Sequence, residues 1–398
     1  MTRWLRHASV SPEAMVAEAA RRTGERCQGR PVLVLQDTTV VRCKRGGSGL
    51  YLHPSLAVDA ESGAILGLTH AVFLTRGAGE KVAAARRSKA IEDKQSQRWI
   101  DGARRSALVC EGAARITQIA DREADIYGFF ARCPAGTDLV VRAAHDRAME
   151  DEGRLFSSLD ALAPAGRATV DLPAGPGRKA RTAKVAARFM SAVVTRPNNG
   201  LVEDLPKSLA LRVVDVREES APAGQAPIHW RLITTLTVTN AAEAFAVANL
   251  YRRRWAIEQL FRTLKTQGFD IEGVLIEDEA PLRNLVMATL VAAVTIQQLV
   301  HARDGEQGAG PLQPLIDAFE PEDQSLLEAF TAPLEGKTQR QKNPHPKGSL
   351  AYGAWVCARL GGWTGYYGKP GPLVMLEGWL YFQAAKHGAS LLPPKHNV

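Results

Sequence analysis

Apolar and polar positions alternate along the first third of the chain in patterns that predict short strands and helices. A capping serine followed by proline opens a predicted helix at Ser11, which runs to Thr23. Apolar runs bounded by turn residues predict five strands, at Pro31–Leu35, Ser55–Asp59, Ala64–Leu74, Arg115–Ala120 and Asp138–Ala143. Helical spacing predicts two further helices, at Ser96–Leu108 and Arg122–Ala131. This part of the chain is therefore expected to fold as an α/β unit.

The order of these elements narrows the fold class. Three strands joined by turns, then helix, strand, helix and strand, resemble the order of an RNase H-like α/β fold. From Ala144 to Leu236, turn residues recur between short apolar runs, which predicts a β-rich insertion. Helical periodicity returns at Ala241 and continues past Lys265. The apolar stretch Leu282–Val300 is interrupted by polar residues, which is typical of a buried helix and not of a membrane span.

These changes of pattern divide the chain into five regions. We predict a helical start at 1–30, the first part of an α/β core at 31–143, the insertion at 144–236, the second part of the core at 237–310 and a helical C-terminal region at 311–398. A chain of 398 residues is longer than one compact core usually is. Two or three structural units are therefore expected.

The composition indicates which kind of partner the protein binds and which cellular compartment it occupies. The net charge of +8 favours a polyanionic partner, although charge alone does not separate DNA from RNA or from an acidic protein. Five cysteines lie far apart without a CxxC pair, which argues against a disulfide framework or a zinc knuckle and fits a reducing compartment. The N-terminus has no apolar signal-peptide segment. A cytoplasmic protein that does not enter a membrane is expected.

Two aspartates occupy similar places in the predicted sheet. Asp37 and Asp121 each follow a buried strand directly. Because the ends of neighbouring strands come close in space, the two carboxylates are candidates for one site that chelates Mg²⁺, an ion that takes oxygen ligands. The alternative is that each aspartate merely ends a strand or caps a helix, which is strong for Asp121 because a helix is predicted directly after it.

A glutamate on the predicted helix after Ala241 adds a third candidate. On a helical wheel, Tyr251, Arg254, Glu258 and Lys265 share one polar stripe beside an apolar face. The alternative is an ordinary amphipathic helix with Glu–Arg pairs, which contribute a few tenths of a kcal/mol. A tyrosine within the polar stripe is less expected in that case.

The spacing of these residues carries a resemblance to a known family. The pattern Tyr251-x2-Arg254-x3-Glu258-x6-Lys265 is similar to the signature of IS4-family, Tn5-like DDE transposases. Two further blocks match that family, Gln36-Asp37-Thr38-Thr39 and Asp121-Arg122-Glu123-Ala124-Asp125. The resemblance implies an RNase H-like catalytic core with a β-rich insertion and a helical C-terminal region.

The resemblance also implies a chemistry. Asp37, Asp121 and Glu258 would hold two Mg²⁺ ions per active site, for which Mn²⁺ can substitute. One ion would activate water or a 3′-hydroxyl and the other would stabilise the leaving oxygen. The expected reaction is cut-and-paste transposition of an insertion sequence through a hairpin intermediate. The implied partners are double-stranded DNA at terminal inverted repeats, target DNA and a second copy of the chain in a synaptic complex, at the bacterial nucleoid.

Several residues become candidates for DNA contact. By resemblance, Tyr251, Arg254 and Lys265 would bind phosphates near the cut, and Arg142 follows the family's Val-Val-Arg pattern. Trp230 precedes Tyr251 by 21 residues, the family's spacing for a tryptophan that stacks on a flipped base. A tryptophan in the core of the insertion is the alternative.

A basic run in the insertion is a further candidate for DNA contact. It contains Arg178, Lys179 and Arg181, and no acidic residue lies between Ala174 and Arg188. Phosphate contacts from such a run would weaken as salt increases. The alternative is a solvated basic loop.

Asp37 lies early in the chain compared with the resembled family. Residues 1–30 would correspond to a remnant of its helical N-terminal DNA-binding domain. This leaves an alternative function open, in which the protein is a truncated, non-transposing relative that binds or inhibits full-length transposase. A structure-specific nuclease of the same superfamily is a third interpretation, and a plain DNA-binding protein would explain the charge but not the carboxylate spacing.

Overall fold

A ten-stranded mixed sheet and eleven α-helices make up the described part of the chain. The computed structural model describes residues 2–42, 49–74, 96–172, 180–198, 204–305 and 311–391. The strands are β1 (Pro31–Gln36), β2 (Thr39–Val41), β3 (Leu50–Asp59), β4 (Ile65–Leu74), β5 (Arg115–Ala120), β6 (Thr137–Arg142), β7 (Gly166–Leu172), β8 (Arg181–Thr195), β9 (Ser208–Glu218) and β10 (His229–Thr234). The helices are α1 (Thr2–Leu5), α2 (Pro12–Cys27), α3 (Gln97–Val109), α4 (Tyr127–Ala131), α5 (Leu155–Asp160), α6 (Ala241–Arg252), α7 (Trp255–Lys265), α8 (Glu279–Ala302), α9 (Asp323–Leu334), α10 (Leu350–Leu360) and α11 (Pro372–Ser390).

Three parallel strands form the centre of the sheet. β1 pairs in parallel with β5, and β5 pairs in parallel with β6. The antiparallel strand β3 pairs with β1 and β2 on one edge and with β4 on the other. The order β4–β3–β1–β5–β6 is that of an RNase H-like sheet, so the predicted fold class is confirmed. Nearly every residue of β1 and β5 is buried, as expected for strands covered on both faces.

The predicted β-rich insertion is present and continues the sheet of the core. β10 pairs antiparallel with β6, and β9, β8 and β7 follow as an antiparallel meander. The sequence pattern did not reveal β8, the longest strand, because several of its alternate positions are small or polar, and it missed α5.

Two predicted helices differ from the structure. The segment Arg122–Ala131 is a 3₁₀ turn followed by the short helix α4. The break follows from Asp125, whose carboxylate accepts hydrogen bonds from backbone N–H groups of the loop after β6. The single helix predicted through Lys265 is two helices, α6 and α7. At the junction the backbone closes tight i to i+3 hydrogen bonds, including Arg254 N–H to the Tyr251 carbonyl at 3.0 Å.

The apolar helix α8 runs through the interior of the fold. Among the described residues it is the one helix long and apolar enough to cross a membrane, and an 18-residue stretch of it has a mean hydropathy of 1.7. It packs against α2, α7 and β4, and most of this 18-residue stretch is buried inside the protein. The prediction of a core helix in this stretch is confirmed.

The helical C-terminal region is held by a close crossing of α10 and α11. A Cβ added to Gly378 would lie 1.7 Å from the Cys357 carbonyl oxygen, a backbone atom that cannot move away easily. Gly361 meets α11 in the same way, with the Val374 carbonyl 2.0 Å from the added atom. Glycine at these positions therefore sets the distance between the two helices.

We expect Gly378→Ala to destabilise this region by about 3 kcal/mol, the upper end of the usual cost of overpacking. Urea unfolding measures this as a lower midpoint. Gly388→Ala on the same helix is the matched control, because an added Cβ there meets nothing within 4 Å. The control is expected to be neutral or slightly stabilising. Equal midpoints for the two variants would contradict this account of the crossing.

Candidate active site

The sheet brings Asp37 and Asp121 to the same edge. In the parallel pair β1–β5, Gln36 lies opposite Ala120, so the two aspartates leave the sheet side by side. The pair β5–β6 continues this register and brings Arg142 to the same edge. β1 and β2 keep one register against β3, so Pro54, which has no N–H to donate, lies opposite Asp37. The β1–β3 ladder is interrupted there.

One guanidinium joins the two aspartates to Glu258. The Nη1 atom of Arg254 lies 3.2 Å from Oδ2 of Asp37, and its Nη2 atom lies 3.9 Å from Oδ2 of Asp121. The same Nη2 donates a hydrogen bond to Oε1 of Glu258, one turn further along the chain. Only 11% of the Arg254 side chain is exposed. Three carboxylates from distant segments thus share a single buried cation.

This arrangement explains the charge state of Arg254. Burial acts to lower the pKa of the guanidinium, but Tyr251 and the three surrounding carboxylates outweigh it, and the pKa is raised above its ordinary value. Arg254 is therefore a permanent positive charge. The break between α6 and α7 places it there, which the helical wheel did not predict.

Tyr251 and Arg142 flank Asp121. The Tyr251 hydroxyl donates a hydrogen bond to Oδ1 of Asp121 at 3.2 Å, and Nη1 of Arg142 lies 4.0 Å from the same oxygen. Burial raises the pKa of Tyr251 to about 12, so the hydroxyl keeps its proton and acts as a donor. Oδ1 of Asp121 also accepts the backbone N–H of Arg122 at 2.7 Å. These contacts fix the orientation of the carboxylate.

Asp37 takes up a proton more easily than an ordinary aspartate, because its pKa is raised. Burial raises its pKa to about 6, although the Thr38 N–H and Arg254 act in the opposite direction. The neighbouring charges of Asp121 and Glu258 raise the pKa further. Without a metal ion, Asp37 therefore takes up a proton at a pH at which an ordinary aspartate is ionised.

We expect the raised pKa of Asp37 to make the free energy of unfolding depend on pH. The folded-state pKa of about 6 exceeds the value of about 3.9 for an unfolded aspartate, so the folded state holds the proton more tightly. The resulting stabilisation is complete below pH 4 and is lost as pH rises through 6. Urea unfolding in chelator from pH 4 to pH 7 measures it as a falling difference between wild type and Asp37→Asn. A constant difference would contradict the assignment.

The donor set fits a divalent metal ion. Carboxylate oxygens are the ligands that Mg²⁺ and Mn²⁺ prefer, and three carboxylates around one point require a cation. Within the described residues, no three Asp, Glu, His or Cys side chains already lie at metal-ligand spacing. The position between the three carboxylates is taken by the Arg254 guanidinium. A metal ion bound by all three carboxylates would therefore have to displace the Arg254 guanidinium from them.

Two other predicted DNA-contact residues, Lys265 and Trp230, contact different parts of the fold. Lys265 donates a hydrogen bond to the Val40 carbonyl at 2.5 Å and lies 3.5 Å from Glu272, which places it beside β2. Trp230 is half-buried on β10 and packs against the main core. The carbonyl of the preceding residue, His229, accepts a hydrogen bond from Arg142 at 3.3 Å. Because Arg142 lies at the active-site edge, Trp230 lies near that edge as well.

The basic run of the insertion is only partly within the described structure. Arg178 and Lys179 lie outside the described residues. Arg181 forms an ion pair with the fully buried carboxylate of Glu218 through both terminal nitrogens, and its Nε donates to Gln225. Its guanidinium thus has a structural partner within the insertion.

Sequence reasoning assigned no role to two buried groups beside the aspartates. His53 lies under Asp37, with Nδ1 2.9 Å from Oγ1 of Thr38. Asp125 forms a buried ion pair with Arg147 and ties the turn after Asp121 to the loop after β6. A polar residue inside a strand pattern was the available signal for His53, but its partners depend on strand register.

Comparison with known protein families agrees with this geometry. Residues 81–295 match the family described as Transposase DDE domain. The match contains Asp121, Glu258 and the segment from Tyr251 to Lys265, and it begins after Asp37. It spans more than half of the 398 residues. The chain therefore belongs to the DDE transposase family.

Proposed function

We propose that this DDE transposase is of the IS4, Tn5-like kind and moves an insertion sequence by a cut-and-paste reaction. The observation that carries the proposal is the convergence of Asp37, Asp121 and Glu258 on Arg254. A structural ion pair needs one carboxylate, whereas three carboxylates at one sheet edge offer the oxygen ligands that divalent metal ions prefer. The spacing from Tyr251 to Lys265 supports the same branch of the family.

Asp37, Asp121 and Glu258 would hold two Mg²⁺ ions, or Mn²⁺ in their place. When bound, such ions supply an activated oxygen nucleophile and stabilise the leaving oxygen of the phosphodiester. The protein's own residues position the carboxylates and the DNA. The Tyr251 hydroxyl and the Arg122 backbone N–H donate to Asp121 and hold its orientation, while Arg254 and Arg142 would offer positive charge to the phosphate.

The proposed DNA path follows the edge of the sheet where β1, β5 and β6 end. Arg142 and Trp230 lie on the insertion side of this edge, and Lys265 lies on the β2 side. Phosphate contacts from Tyr251, Arg254 and Lys265 would hold the strand near the cut, and the Trp230 face would receive a flipped base. Arg178, Lys179 and Arg181 are further candidates for contact with flanking DNA.

The proposed partners are terminal inverted repeats, target DNA and a second copy of this chain, in the cytoplasm at the nucleoid. An exposed apolar face in the C-terminal region supports the pairing with a second copy of the chain. Leu373, Leu380 and Tyr381 are each more than half exposed, and their spacing of seven and eight residues places them on one face of α11. A synaptic homodimer would bury this face.

A cleavage assay tests the reaction pathway. A labelled duplex that carries the element's own flanking repeat is incubated with protein and Mg²⁺, and the products are separated on a denaturing gel. We expect a nick, then a hairpin that migrates as the covalently closed end, and then joining to a target plasmid. A folded protein that binds the duplex but forms none of these products would favour the non-transposing relative that binds or inhibits a longer transposase.

A further inference from the structure

A row of hydrogen bonds crosses the sheet beneath Asp37. Nε of Arg98 donates to Oγ1 of Thr38 at 3.1 Å, and that hydroxyl lies 2.9 Å from Nδ1 of His53. On the other side of the ring, Nε2 of His53 lies 3.2 Å from Oε1 of Gln36. The Gln36 amide then donates to Oε1 of Gln118 at 3.0 Å. His53, Gln36 and Gln118 have no exposed surface.

The donors and acceptors of this row run in one direction. The Gln36 amide nitrogen donates to Gln118, so Oε1 of Gln36 faces Nε2 of His53 and can only accept, which places a hydrogen on Nε2. In the neutral ring Nδ1 is then unprotonated and accepts from the Thr38 hydroxyl, whose oxygen in turn accepts from Arg98. Burial, with the nearby positive charges of Arg98 and His70, holds the pKa of His53 well below its ordinary range. The imidazole is therefore neutral and has a single tautomer.

The position of the row ties it to the active site. Gln36 and Thr38 are the two residues that flank Asp37, and one imidazole binds the side chains of both. Because side chains alternate along an extended segment, these two point to one face and Asp37 points to the other. The row ends at Gln118 on β5, three residues before Asp121. It therefore spans both strands that carry the aspartates.

Packing leaves the ring and its amide partner little freedom. Trp99 meets the His53 ring edge-on, with 4.6 Å between centroids. A Cβ added to Gly102 would lie 2.4 Å from Oε1 of Gln36, so only glycine at this place in α3 leaves room for the amide. The row is thus held in place from α3 and joined to β1, β3 and β5.

We propose that His53 is a positioning residue of the active site, which clamps both neighbours of Asp37 so that this carboxylate is fixed relative to Asp121 for metal binding. The proposal rests on the proposed function, because the spacing of the aspartates matters only if they hold metal ions together. Groups that orient metal ligands without touching the metal commonly change metal affinity by about 10- to 100-fold when they are removed.

The test measures Mn²⁺ affinity by titration calorimetry on the full-length protein, together with the urea midpoint. His53→Leu removes both hydrogen bonds and is expected to weaken Mn²⁺ binding by at least about tenfold. His53→Asn keeps an acceptor for Thr38 and is expected to bind more tightly than the leucine variant. Cleavage kinetics should show a lower kcat with an unchanged KM for DNA.

The matched control is Thr69→Val, which removes a buried hydroxyl pair with Ser106 between β4 and α3, outside the row. It is expected to lower the urea midpoint and leave Mn²⁺ affinity unchanged. If His53→Leu behaves like this control, the role of His53 is only structural and the proposal is overturned.

A second readout does not depend on metal. Nitrogen-15 NMR of labelled histidine is expected to show His53 neutral and protonated on Nε2 up to the unfolding transition. Protonation on Nδ1 would overturn the proposal. Wild-type protein that binds no Mn²⁺ would contradict the proposed function, whereas wild-type binding that His53→Leu leaves unchanged contradicts the positioning role alone.

Discussion

Glu258→Gln is expected to abolish strand cleavage while DNA binding is retained. Glu258 reaches the shared site from α7, and within the described part of the chain its side chain pairs with Arg254. The substitution keeps the size of the side chain but removes the charge that a metal ion requires. Losing about 4 kcal/mol of transition-state stabilisation corresponds to roughly a thousandfold lower rate. Single-turnover cleavage of the labelled repeat duplex measures this, with a gel-shift titration for binding.

Glu279→Gln is the control for this variant. Glu279 makes the same i, i+4 ion pair with an arginine, Arg283, but it lies exposed at the start of α8. The control is expected to cleave at the wild-type rate. Cleavage by Glu258→Gln within about tenfold of wild type would remove this glutamate from the catalytic set.

Arg254→Ala is expected to make the stability of the protein depend on metal. Without the guanidinium, three carboxylates face one another at a partly buried point, and removing one partner of a buried ion pair typically costs about 3–5 kcal/mol. A bound divalent ion replaces the lost charge and stabilises the folded state by mass action. Since the guanidinium no longer competes for the carboxylates, the variant should also bind Mn²⁺ more tightly than wild type.

Thermal unfolding in chelator and in a Mn²⁺ series measures this effect. Wild type is expected to gain less stability from Mn²⁺ than Arg254→Ala, which should unfold early in chelator and recover with Mn²⁺. Cleavage by the variant should still be impaired, because the phosphate loses a cation. Arg252→Ala, an exposed arginine two residues away that bonds to Asn249 and the Asp171 carbonyl, is the charge-matched control. A metal-insensitive Arg254→Ala would mean that the carboxylates do not form one ligand set.

The sequence predicted the elements of the active-site edge but not their junctions. Buried apolar runs identified β1 and β5, and an aspartate directly after each run was enough to predict that both reach one edge. The wheel through Tyr251 and Glu258 assumed one continuous helix. The tight turn at Arg254 brings its side chain against Asp37 and Asp121, which lie 217 and 133 residues earlier in the chain. Local periodicity carries no information about such partners.

The same limit applies to buried polar groups. His53 and Gln36 are adjacent only because β1 and β3 pair with a particular register, and Gln118 joins them only because β5 pairs with β1. The loop bonds of Asp125, which end the predicted helix after Asp121, are likewise tertiary contacts. Propensity describes a segment in isolation, and tertiary hydrogen bonds override it here.

The most direct measurement of the central claim compares cleavage by wild type, Asp37→Asn, Asp121→Asn and Glu258→Gln, side by side, on the flanking repeat duplex in Mg²⁺ and in Mn²⁺. If the three carboxylates form one metal-dependent active site, wild type cleaves only with metal and all three variants fall to the same floor while still binding DNA. A folded, DNA-binding variant of any of the three that cleaves at the wild-type rate would contradict the account.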